Sequence, residues 1–70
     1  MSDLREDLDA TADSVVRDAE RLISVERDKQ ASNGARADRL GEEAVRIADE
    51  LACKVRVEAD LADRLGRRQT

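Results

Sequence analysis

One tripeptide, Ser32-Asn33-Gly34, interrupts a chain that otherwise has the pattern of helix from end to end. Proline is absent, so nothing else in the 70 residues forces a stop. Asn and Gly tolerate the left-handed backbone that ends a helix, and together they read as a C-cap followed by a tight turn. Two long helices joined by a short turn must fold back antiparallel. The reading is therefore all-α: one domain over residues 1–70, with a helix over about 3–31, a turn at 32–34, a helix over about 35–65 and a frayed tail at 66–70. A single unbroken helix in a long coiled coil is the competing architecture. The Asn33-Gly34 pair and the change of apolar stripe across it argue against that form.

In the first segment Leu4, Leu8, Ala12, Val15, Ala19 and Leu22 recur every three or four residues, and Val16 and Ile23 widen the stripe. That is helical periodicity; no stretch alternates as a strand does. Ser2 or Asp3 serves as the N-cap, with Glu6 three residues after Asp3 as in a capping box. In the second segment the apolar arc takes in Leu61, Leu40, Leu65, Ile47, Leu51, Ala44, Ala62, Val55, Ala48, Ala59, Ala52 and Val45 and spans roughly 200° of the helix. An arc that wide calls for two neighbouring helices, and a hairpin supplies one.

Composition sharpens the point. The bulky apolar residues are seven Leu, six Val and two Ile, without a single aromatic, and Ala makes up eleven of the remaining apolar positions. A chain this short and poor in large side chains gains too little from its own core to offset the ordering of its backbone. The expectation is that two hairpins complete a four-helix bundle, with Val16, Ile23, Val45, Ala48 and Ala52 forming the interface between copies. A turn centred near Asn33 puts Leu22 opposite Ala44, Val15 opposite Leu51 and Ala12 opposite Val55.

Charged residues make up 43% of the chain and the formal net charge is −4. An acidic balance disfavours general nucleic-acid binding, which needs a basic surface. The start lacks an apolar h-region and no stretch approaches a membrane span, so the expected place is the cytoplasm. The chain contains no His and one Cys, Cys53, which excludes an internal disulfide and the ordinary Ser-His nucleophile. Cys53 falls on the solvent side of its helix. No catalytic residue, cofactor or metal ligand is assigned.

A few charged positions stand out. Glu58 interrupts the apolar arc, and Arg5 is its expected ion-pair partner across the open end of the hairpin, because a buried carboxylate needs a countercharge. Glu26 interrupts the first stripe near the turn. Glu42, Arg46, Glu50, Lys54 and Glu58 form an i, i+4 ladder of alternating sign that solvates a helix face. Arg64, Arg67 and Arg68 complement the dipole at the C-terminal end.

Leu40-Gly41-Glu42-Glu43-Ala44-Val45, followed by Glu58-Ala59-Asp60-Leu61, resembles the metal-binding core of the all-helical NTP pyrophosphohydrolases, the MazG-like and phosphoribosyl-ATP pyrophosphatase enzymes. The resemblance implies Glu42, Glu43, Glu58 and Asp60 as Mg²⁺ ligands facing a pyrophosphate. Arg46 stands where the family has a third carboxylate, and both motifs fall on one helix. The leading expectation is a non-enzymatic module for protein–protein interaction and self-association, a regulator or adaptor, whose partners are a second copy and another protein. A degenerate or oligomeric Mg²⁺-dependent pyrophosphohydrolase is the alternative. A nucleic-acid-associated regulator using the arginine-rich end is a second.

Overall fold

The computed structural model describes residues 3–69, with side chains as far as Arg67. It holds two helices, α1 (Leu4–Gln30) and α2 (Gly34–Gln69), packed side by side. The molecule measures 54 × 19 × 14 Å, so it is two helices wide and only one helix thick. At a rise of about 1.5 Å per residue, α2 alone accounts for the long dimension.

Asp3 caps α1, its Oδ1 accepting from the Arg5 N–H at 3.2 Å, and Glu6 and Asp7 add negative charge to the first turn. Ser2 lies outside the described residues. At the other end the Ala31 N–H donates to the carbonyls of Arg27 and Asp28 at 3.2 Å, and the Ser32 hydroxyl donates to the Asp28 carbonyl at 2.7 Å. These bonds satisfy carbonyls that the end of a helix leaves without partners. Gly34, at φ +63°, reverses the chain and opens α2. The turn is thus Ala31–Asn33, one residue earlier than the sequence suggests.

The far end of α2 departs from expectation as well. The helix runs through Gly66 to Gln69 instead of fraying after Leu65. Two i, i+4 ion pairs, Asp60–Arg64 at 3.0 Å and Asp63–Arg67 at 2.7 Å, brace these last turns. Each such pair contributes a few tenths of a kcal/mol, which together offset much of the roughly 1 kcal/mol that a helical glycine costs.

The seam between the helices follows alternating steps of four and three residues. On α1 it runs Leu4, Leu8, Thr11, Val15, Asp18, Leu22, Val25 and Lys29; on α2 it runs Leu40, Ala44, Ile47, Leu51, Lys54, Glu58, Leu61 and Leu65. All of these are buried or half-buried. The fully enclosed part is small: Ile47 at 2% exposure, Asp18 at 4% and Ala44 at 7%.

Asp18 fixes the register. Its Oδ2 lies 2.7 Å from Lys54 Nζ across the seam. A hairpin symmetric about Asn33 would set Asp18 opposite Ala48, so the lysine stands nearly two turns further along α2. A lysine side chain spans about one of those turns, and the remainder is a shift of register of about one turn. The expected facings, Leu22 on Ala44 and Val15 on Leu51, move by that amount, and Val55 leaves the seam for the outer flank.

Candidate interaction face

Residues one position after each seam residue line one broad side of the hairpin. On α1 these include Ala12, Val16, Ala19 and Ile23; on α2 they are Gly41, Val45, Ala48, Ala52, Val55, Ala59, Ala62 and Gly66. The second set repeats the four-and-three steps of the seam, so α2 carries two parallel stripes, one used by α1 and one open. Two antiparallel helices meeting along their seams turn these following positions to the same side. The grooves of the molecule agree: Leu22 and Glu26 line one with Gly41, Val45 and Ala48. Arg21 lines another, on the opposite side, with Glu43, Arg46 and Glu50.

All five residues expected at an interface lie on the uncovered side and are exposed. Val16 is 54% exposed, Ile23 50% and Val45 60%, and Ala48 and Ala52 are open as well. Val55 is 45% exposed on the same side, whereas Val57, 48% exposed, lies on the opposite, polar side. Near the turn the Glu26 carboxylate accepts from Lys29 Nζ at 2.9 Å and edges the apolar face with a local ion pair.

The charge in the seam sits elsewhere than expected. Arg5 turns outward and its Nε lies 3.7 Å from Asp9, both side chains being about two-thirds exposed (66% and 67%). Among the described residues no ion pair joins Arg5 to Glu58, which is half-buried. The seam pair is Asp18–Lys54, with Arg21 Nη1 3.7 Å from the other Asp18 oxygen. Asp18 Oδ2 has no aligned hydrogen bond, so the attachment to Lys54 is by charge. Asp18 is the residue that sequence reasoning missed, though its place between Val15 and Leu22 on the seam spacing was there to be read.

The alternating ladder on α2 does not form as a set of neighbouring pairs. Successive i, i+4 positions rotate by roughly 40°, so the series starts outside at Glu42 and ends in the seam at Glu58. Burial follows that spiral: Glu42, Arg46 and Glu50 are exposed, Lys54 and Glu58 half-buried. Lys54 is drawn across to Asp18.

The four carboxylates that resemble a pyrophosphohydrolase core do not converge. Glu43 and Glu58 are separated by roughly 22 Å along α2, and Asp60 is engaged by Arg64. Among the described residues no group of three or more Asp, Glu, Cys or His could hold a metal ion. Cys53 is an exposed free thiol. Arg64 and Arg67 are bound to Asp60 and Asp63, while the Arg68 side chain lies outside the described residues. No helix among the described residues is long and apolar enough to cross a membrane.

Comparison with protein-family models, with curated proteins and with solved structures finds no match to this chain.

Proposed function

We propose that the chain is a small cytoplasmic interaction module, without catalytic activity of its own, whose apolar face pairs two hairpins into a four-helix bundle. The observation that carries this reading is the uncovered face, where Val16, Ile23 and Val45 are each at least half exposed while only two apolar residues are buried among the described residues. A compact monomer of 7.8 kDa exposes about 4,400 Å². This chain exposes 5372 Å². The surplus is roughly 1,000 Å², comparable with the ~800 Å² that each partner buries in a standard interface. A second hairpin covers such a surface with the same coiled-coil-like packing that α1 uses on α2. The charged outer side, with Arg17, Arg46 and Glu50, remains for a different protein, as in a regulator or adaptor.

Sedimentation equilibrium over a wide concentration range tests the reading. A dimer is expected, and Ile23→Lys with Val45→Lys should convert it to a monomer that melts at a lower temperature. A compact monomer at every concentration would overturn it.

A further inference from the structure

Resting on that reading of self-association, we infer that the second copy docks with its turn at the opposite end, about a twofold axis crossing the helices at right angles. In this arrangement α1 lies on α1 of the second copy and α2 on its α2, each pair antiparallel.

Side-chain size selects this orientation. An axis passing α1 midway between Val16 and Ala19 sets Val16 on Ala19 of the second copy, and Ile23 on its Ala12. An axis passing α2 at Ala52 sets Val45 on Ala59 of the second copy, and Ala48 on its Val55. Every large residue meets a small one, as close packing of two helices requires. One axis serves both pairs only if those points stand at the same height in the hairpin. They do: with the register shifted by about one turn from Ala48, Asp18, between Val16 and Ala19, stands level with about Leu51, beside Ala52. Placing both turns at one end instead stacks α1 on α2 of the second copy. Ile23 then meets Val45, and Ala19 meets Ala48 or Ala52, leaving a crowded layer beside an empty one.

Charge at the rims is mixed in both orientations, so side-chain size decides between them. With the turns opposed, Arg27 comes level with Asp9 of the second copy, and Arg56 with its Asp49. Among the described residues Arg27, Arg56 and Asp49 take part in no ion pair within the chain. Like charges also approach: Glu26, paired with its own Lys29, meets Asp9 of the second copy, Glu42 comes level with its Asp63, and Asp13 stands near its Glu20 further round towards solvent. With the turns together, Asp9 faces Asp63 and Glu20 faces Asp49, while Arg27 faces Glu42 and Asp13 faces Arg56.

Spin labels report the orientation directly. The full chain carrying Asn33→Cys and Cys53→Ser, labelled at the turn, should give a distance of about 50 Å between copies. A distance under about 20 Å in a dimer would overturn the orientation and leave self-association standing. A monomer with no distance between copies would overturn the underlying reading too. As a second measurement, Ala52→Cys with Cys53→Ser should form a disulfide-linked dimer on mild oxidation. A true dimer of this variant that fails to cross-link counts against the axis at Ala52.

Discussion

The Asp18–Lys54 pair should be unequally sensitive to loss of its two partners. Lys54→Met keeps the aliphatic stem and removes the charge 2.7 Å from a carboxylate whose side chain is 6% exposed. Breaking a fully buried pair costs about 3–5 kcal/mol, because one ion is stranded. The cost here is smaller, since Lys54 is 35% exposed and Arg21 stays 3.7 Å from the other oxygen. About 2 kcal/mol is the expected loss, or about 8–16 °C in Tm for a domain of this size. Asp18→Ala strands the lysine instead, and a lysine can extend its ammonium to water. Alanine also favours helix over aspartate by about 0.5 kcal/mol, so the loss should stay under about 1 kcal/mol. Replacing both by Leu should stabilise the seam by about 1–3 kcal/mol. Thermal melts followed by circular dichroism, at one protein concentration for all variants, measure the series. Equal losses for the two single variants, or a larger one for Asp18→Ala, would refute the reasoning that burial of the aspartate sets the asymmetry.

Ile47→Ala empties the most enclosed apolar site, at 2% exposure, and should cost about 2–4 kcal/mol, visible as an early melt. Gly66→Ala should gain about 0.5–1 kcal/mol, since the position is helical and an added Cβ meets nothing within 4 Å. Gly34→Ala meets no atom either but sits at φ +63°, so a loss of about 1–2 kcal/mol in the same melts is expected. Maleimide should modify Cys53 in the native protein at the rate of a free exposed thiol, with no change in sedimentation.

The two helices, the turn and the side left uncovered were legible because they follow from local rules. Periodicity names the faces of a helix, and Asn33-Gly34 names the reversal whatever the tertiary context. Register was not legible. Large-on-small facing about Asn33 was satisfied by a symmetric hairpin, and a shift of about one turn brings similar residue types back into opposition because both seams repeat in steps of three and four. What separates the alternatives is a polar contact between distant positions, Asp18 and Lys54. Neither residue identifies the other from its own neighbourhood. Arg5 and Glu58 suited each other equally well on paper, and the structure turns Arg5 towards Asp9 on its own helix.

The roughly 200° arc of α2 takes on a different meaning once it divides into two stripes offset by one residue. The seam stripe holds Leu40, Ile47, Leu51, Leu61 and Leu65 together with Lys54 and Glu58. It combines the largest apolar groups with charges that tolerate only certain pairings, which suits an intramolecular contact formed in one register. The open stripe holds only Gly, Ala and Val. Small residues bury little area each, so this second contact depends on close approach of the helices and yields less free energy per residue. An interface of that kind forms only after the hairpin has set its stripes side by side. Substitutions should therefore separate into two classes. Bulk added at Ala48 or Ala52 should dissociate copies while leaving the helical melt of the isolated hairpin in place. Loss at Ile47 or Lys54 should lower the helical melt and weaken association together. Sedimentation and circular dichroism recorded on the same samples distinguish the classes, and an Ala52→Leu variant that unfolds rather than dissociates would show that the two stripes are not separable.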